Sequence, residues 1–179
     1  MNLVLIGYRG AGKSSVAREL APRLGWEWVD ADVEVERQAG RSIAAIFAEV
    51  GEASFRQLES QVLAELLRRQ RIVLAAGGGA VLRAENRELL AAAGKVVWLK
   101  AEAATIFRRV TADDTTAARR PNLTPRGGEQ EIVELLAQRM PLYRQCANLE
   151  IETEGKTPAE LADEILDRLD LTELRRERS

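Results

Sequence analysis

Leu3-Val4-Leu5-Ile6-Gly7-Tyr8-Arg9-Gly10-Ala11-Gly12-Lys13-Ser14 decides the fold. Its apolar opening is short and flanked by glycine, which predicts a buried strand. The next residues fit G-x-x-x-x-G-K-[ST] and lead into a helical pattern with Val16, Leu20 and Leu24 on one face. A strand, this loop and then a helix is the context in which the motif binds phosphate. Gly10, Ala11 and Gly12 let successive backbone N–H groups turn inward onto phosphate oxygens, and the helix N-terminus adds positive potential. Lys13 then reaches the β- and γ-phosphates, the Ser14 hydroxyl suits Mg²⁺, and Ser15 is counted with them among the ATP-binding residues.

Downstream, strand and helix patterns alternate. Trp26–Val29 reads as a second strand ending at Asp30, and residues 32–69 are mainly helical, with Phe55, Leu58, Val62 and Leu66 on one face. Ile72–Leu74 gives a strand running into Gly77-Gly78-Gly79, a short helix leads to a strand at Val96–Leu99, and residues 149–153 supply another. The last helix has a capping box, with Thr157 as cap, Pro158 at its first position and Glu160 reaching back. Strands separated by helices predict an α/β fold, a parallel sheet covered on both faces. Residues 111–128 form one long polar stretch, the length at which a loop is commonly a functional lid. Neither an internal repeat nor a linker is visible, so residues 1–179 read as one domain.

Composition narrows the function further. A net charge of -2 offers no bulk attraction to nucleic acid or to an anionic membrane. No apolar run approaches the ~20 residues that span a bilayer. The absence of a leader pattern at Met1 and the lone Cys146 point to a reducing cytoplasm; Cys146 itself reads as a small buried apolar residue. With no histidine in the chain, His-based catalysis and His-ligated metals are excluded.

The phosphate loop does not by itself separate kinases from GTPases and motor ATPases. No Asn-Lys-x-Asp guanine-reading motif is present, and the strands at 72–74 and 96–99 do not end in an acidic residue. The carboxylates at hand are Asp30 and Asp32, at the carboxyl end of the sheet where open α/β folds bind ligands. Asp30 suits Mg²⁺ held through water. Asp32 has two readings, as the acceptor for a substrate hydroxyl or as the cap of a helix beginning at Val33. Arg56 lies between Glu52 and Glu59, each close enough along a helix to orient it, and a surface ion pair is its ordinary alternative. The glycines at 77–79 permit close approach to a ligand or simply a tight turn. Arg139 precedes Met140-Pro141-Leu142-Tyr143, where Pro141 predicts a break or kink, and Arg119 and Arg120 lie in the polar stretch.

In combination these segments resemble the shikimate kinases, of the nucleoside-monophosphate-kinase-like group of phosphate-loop folds. The matching segments run in order through GYRGAGKSS, VDADVEVERQAGRSIAAIFAEVGEASFRQLE, AAGGGAVL, VVWL, RRPNL and RMPLYRQCA, covering about residues 2–170. The resemblance implies a three-layer fold with sheet order 2-3-1-4-5 and a lid over the nucleotide. It assigns Asp32 to the shikimate hydroxyls, Arg56 and Arg139 to the shikimate carboxylate, and Gly78, within Gly77–Gly79, to a backbone contact with substrate. A planar guanidinium suits a carboxylate, because it can donate paired hydrogen bonds. Arg120 corresponds to the lid arginine over the ATP phosphates, Arg109 and Lys156 to positions beside the adenine, and Ser14 and Asp30 to the Mg²⁺ positions. The chain departs from the family in a longer lid, in Ala76 where threonine is frequent, and in Lys156 where some members carry arginine.

The resemblance thus implies a monomeric cytoplasmic enzyme that transfers the γ-phosphoryl of ATP to the 3-hydroxyl of shikimate with Mg²⁺, within aromatic amino-acid biosynthesis. Its partners are small molecules, with no nucleic acid and no membrane. The rivals are another small-molecule kinase on the same scaffold, such as a gluconate or adenylylsulfate kinase, and a non-catalytic nucleotide-binding module.

Overall fold

The structure is a computed structural model and describes residues 1–112 and 128–171. Five strands form one parallel sheet in the order β2-β3-β1-β4-β5. They are β1 (Asn2–Ile6), β2 (Glu27–Asp30), β3 (Ile72–Ala75), β4 (Gly94–Lys100) and β5 (Leu149–Glu152). The helices are α1 (Lys13–Leu24), α2 (Ala31–Ala39), α3 (Ile43–Leu67), α4 (Ala84–Ala93), α5 (Ala103–Ala112), α6 (Gly128–Cys146) and α7 (Pro158–Arg168). The parallel sheet predicted from the alternating strands and helices, and the order implied by the resemblance, therefore stand.

Alternation along the strands explains the layers. Val4, Ile6, Leu74, Val96 and Trp98 face a core closed by Val35 of α2, Phe55 and Val62 of α3, Leu90 of α4 and Tyr143 of α6. Leu3, Leu5, Val73, Val97 and Leu99 face the other side, under Val16 and Leu20 of α1 and Ile165 of α7. Successive side chains of a strand point to opposite faces, so a central parallel strand must be apolar throughout. The run Leu3–Ile6, fully buried, meets that demand.

Two local expectations are corrected, and the helical stretch expected over 32–69 is borne out with a kink in it. The helix after β2 starts at Ala31, and Asp30, not Asp32, caps it by accepting from the backbone N–H groups of Asp32 and Val33. Within α3, Gly51 has φ 78° and breaks the helical path, so Ile43–Val50 and Glu52–Leu67 are two segments across a kink; a left-handed φ is open to glycine at little cost. Pro141, by contrast, does not end its helix, which runs on to Cys146. Buried Arg139, Tyr143 and Cys146 lie at spacings of four and three on one face, and their packing outweighs the hydrogen bond that proline cannot donate. The ends of the polar stretch are helical, Thr111 and Ala112 in α5 and Gly128 in α6. Its remainder, with Arg119 and Arg120 and the expected lid, lies outside the described residues.

Candidate active site

Sheet register brings the key segments together. Leu5 pairs with Ala75 on β3, and Ala75 is in turn level with Asp30 on β2. The phosphate loop after β1, the glycines after β3 and the Asp30–Asp32 segment after β2 therefore emerge side by side from the carboxyl edge.

Gly7 opens the loop with φ 142°, and a Cβ on it would lie 2.6 Å from the Leu99 carbonyl oxygen. Only glycine fits such an approach. Gly10, Ala11 and Gly12 follow, and Lys13 is buried at the start of α1, its Nζ donating to the carbonyls of Gly7 and Tyr8 at 2.8 Å each. Ser14 Oγ donates to the Asp30 carboxylate, whose other oxygen caps α2. One acidic side chain thus joins the phosphate-loop helix to the helix bearing Asp32. The Ser14 and Asp30 oxygens form a hard donor pair beside the loop, as Mg²⁺ prefers. Ser15 is exposed in the first turn of α1, and Asp32 is half-buried in the first turn of α2. Along α2 the Arg37 guanidinium, hydrogen-bonded to it, lowers the Glu34 carboxyl from the usual 4.5 to about 2.

Gly77–Gly79 lies against the phosphate loop, with Gly78 beside the Arg9 backbone. The Arg56 guanidinium is buried and pairs with Glu59 at 2.7 Å and Glu52 at 3.2 Å. It also borders an open cleft of about 420 Å³ shared with Ala53, Ser54, Gln57 and Arg83. From α6, Arg139 donates to the Gly78 carbonyl at 3.3 Å and stacks over the Tyr8 ring. Both sequence-predicted arginines therefore meet the glycine turn, Arg56 at Gly79 and Arg139 at Gly78.

Tyr143 also reaches this turn, donating to the Gly78 carbonyl at 2.6 Å, and its role was not read from the sequence. The available signal was its place one helical turn after Arg139. On α5, Arg109 donates to the Gly10 carbonyl and so reaches across the phosphate loop. Lys156 pairs with Glu164 of α7 at 2.6 Å. The loop carrying it is tied to α5 through Glu154, which accepts from the Glu102 N–H and the Thr105 hydroxyl. Burial pushes the Cys146 thiol up, which agrees with a packing residue.

A family model for shikimate kinase matches residues 9–170. A shikimate kinase of Rhodopirellula baltica is 44% identical over 165 residues, 92% of this chain and 88% of that protein. The solved shikimate kinase of Acinetobacter baumannii, in complex with shikimate, superposes with a TM-score of 0.89 at 42% identity, covering 96% of this chain and 93% of that one. That of Bacteroides thetaiotaomicron superposes at 0.83 with 29% identity, covering 95% and 98%. With nearly its whole length matched in sequence and in structure, the chain belongs to the shikimate kinase family.

Proposed function

We propose that this protein transfers the γ-phosphoryl group of ATP to the 3-hydroxyl of shikimate. The observation that carries this reading is Arg139, a buried guanidinium that faces no carboxylate among the described residues. A buried charge is costly without a counter-ion, so this position is suited to an anionic ligand. Arg56 meets the same glycine turn at Gly79, already held in orientation by Glu59. Together they provide a two-armed cradle for the carboxylate of a small hydroxy-acid, which places its hydroxyls toward Asp32 and the phosphate loop. The gluconate reading accounts for a carboxylate, but it leaves the family match without a reason.

Catalysis on this scaffold is positioning and electrostatics. The loop N–H groups and Lys13 hold the phosphates, and Lys13 exchanges its contacts with the Gly7 and Tyr8 carbonyls for phosphate oxygens. Asp32 aligns the attacking hydroxyl and accepts its hydrogen bond. Ser14, and Asp30 through water, would hold Mg²⁺, and the ion would offset phosphate charge. The protein acts as a cytoplasmic monomer, and among the described residues no helix is long and apolar enough to cross a membrane.

ADP release from ATP and Mg²⁺ tests the reading, with shikimate, gluconate, quinate or no acceptor supplied. Turnover dependent on shikimate supports it. Turnover with gluconate alone, or ADP release indifferent to the acceptor, rejects it.

A further inference from the structure

We infer that Tyr143 is a positioning residue for substrate binding, whose hydroxyl holds the glycine turn in place and keeps Arg139 available to the substrate carboxylate. The inference rests on the reading of Arg139 given above. Tyr143 is fully buried, its ring packs on Trp98 at 5.5 Å between centroids, and its hydroxyl donates to the Gly78 carbonyl at 2.6 Å. The same carbonyl accepts the longer 3.3 Å bond from Arg139.

A buried carbonyl needs a donor. While Tyr143 supplies it, Arg139 can turn its N–H groups to a carboxylate without leaving Gly78 unpaired. Without that hydroxyl, Arg139 becomes the sole side-chain donor to Gly78 among the described residues, and a substrate must compete for it. The turn itself is a seam between two ligand sites. A Cβ on Gly78 would lie 3.0 Å from the Arg9 backbone nitrogen, and one on Gly79 would lie 2.2 Å from Arg56 Nη1. Any rotation of the Gly78–Gly79 peptide is therefore felt by the phosphate loop on one side and by Arg56 on the other. Tyr143, one helical turn beyond Arg139, sets that peptide from the core.

The test is Tyr143→Phe, which keeps the ring against Trp98 and removes only the donor. The KM for shikimate should rise about tenfold, as expected for loss of one buried hydrogen bond. The KM for ATP should stay within about twofold, since that bond does not touch the nucleotide site. In an Arg139→Ala background, where no guanidinium is left to divert, the same substitution should change shikimate affinity by less than about twofold. Calorimetric binding of shikimate and of ADP reads the same split without turnover, and a melting curve verifies folding. An unchanged shikimate KM, a parallel rise in both KM values, or the full effect persisting beside Arg139→Ala would overturn the inference. A wild-type protein indifferent to shikimate would instead reject the underlying function, and the inference with it.

Discussion

The Arg56 guanidinium fills the space that a side chain on Gly79 would need. A Cβ there would lie 2.2 Å from Nη1 and 2.5 Å from Cζ. The backbone of Gly79, at φ -103°, is open to any residue, so the demand for glycine is steric and local to that arginine.

Gly79→Ala is therefore expected to displace Arg56 from Glu59 while leaving the sheet and phosphate loop intact. The KM for shikimate should rise about tenfold or more, the scale of one charge-assisted contact, with the KM for ATP little changed. Steady-state ADP release against each substrate measures this. A Gly79→Ala protein with ordinary shikimate KM would show that Arg56 yields without consequence.

Asp30 has two tasks that one substitution can separate. Asparagine caps helices as well as aspartate does, so Asp30→Asn should preserve the start of α2 and the melting temperature. It removes the charge that faces Ser14, and the Mg²⁺ concentration needed for half-maximal rate should rise about 10–100-fold. A magnesium titration of the rate decides; unchanged metal demand would confine Asp30 to capping.

Asp32 does not cap α2, and the role proposed for it is toward substrate. Asp32→Asn should lower kcat by about 10²–10⁴, the usual worth of a positioned acid–base group, with the fold retained by circular dichroism. Near-normal turnover would remove it from the chemistry.

Much of this was legible in the sequence because it depended on neighbours along the chain. The capping box of Thr157 and Glu160 forms as predicted, with both of its hydrogen bonds present. The phosphate loop stands between β1 and α1 as its pattern required. Less accessible was anything decided across the sheet. Whether Asp30 or Asp32 caps α2 depends on where the chain turns after β2, a matter of one or two residues that periodicity does not fix. The contacts of Arg56 with Gly79 and of Tyr143 with Gly78 join residues 23 and 65 positions apart. Pro141 reads locally as a break or kink, and the break is overridden by the burial of its own helix face.

The Glu34–Arg37 pair gives a pH prediction. Because the Glu34 carboxyl is lowered from 4.5 to about 2 on folding, its contribution is complete above pH 4.5 and is lost as pH falls from 4.5 toward 2. Melting curves of wild type and Glu34→Gln should therefore differ at neutral pH and converge at the acid end of that window. The gap should be small and shrink with salt, since the pair is exposed. A gap that widens on acidification would reverse the sign of the argument.

The assignment of Arg139 to the substrate carboxylate carries the rest of the account, and calorimetry of the Arg139→Ala protein with shikimate and, separately, with ADP tests it most directly. Loss of one partner of a charge-assisted pair should weaken shikimate binding about tenfold or more, with ADP affinity within about twofold of wild type. Equal losses of both affinities, or shikimate binding that survives intact, would contradict it.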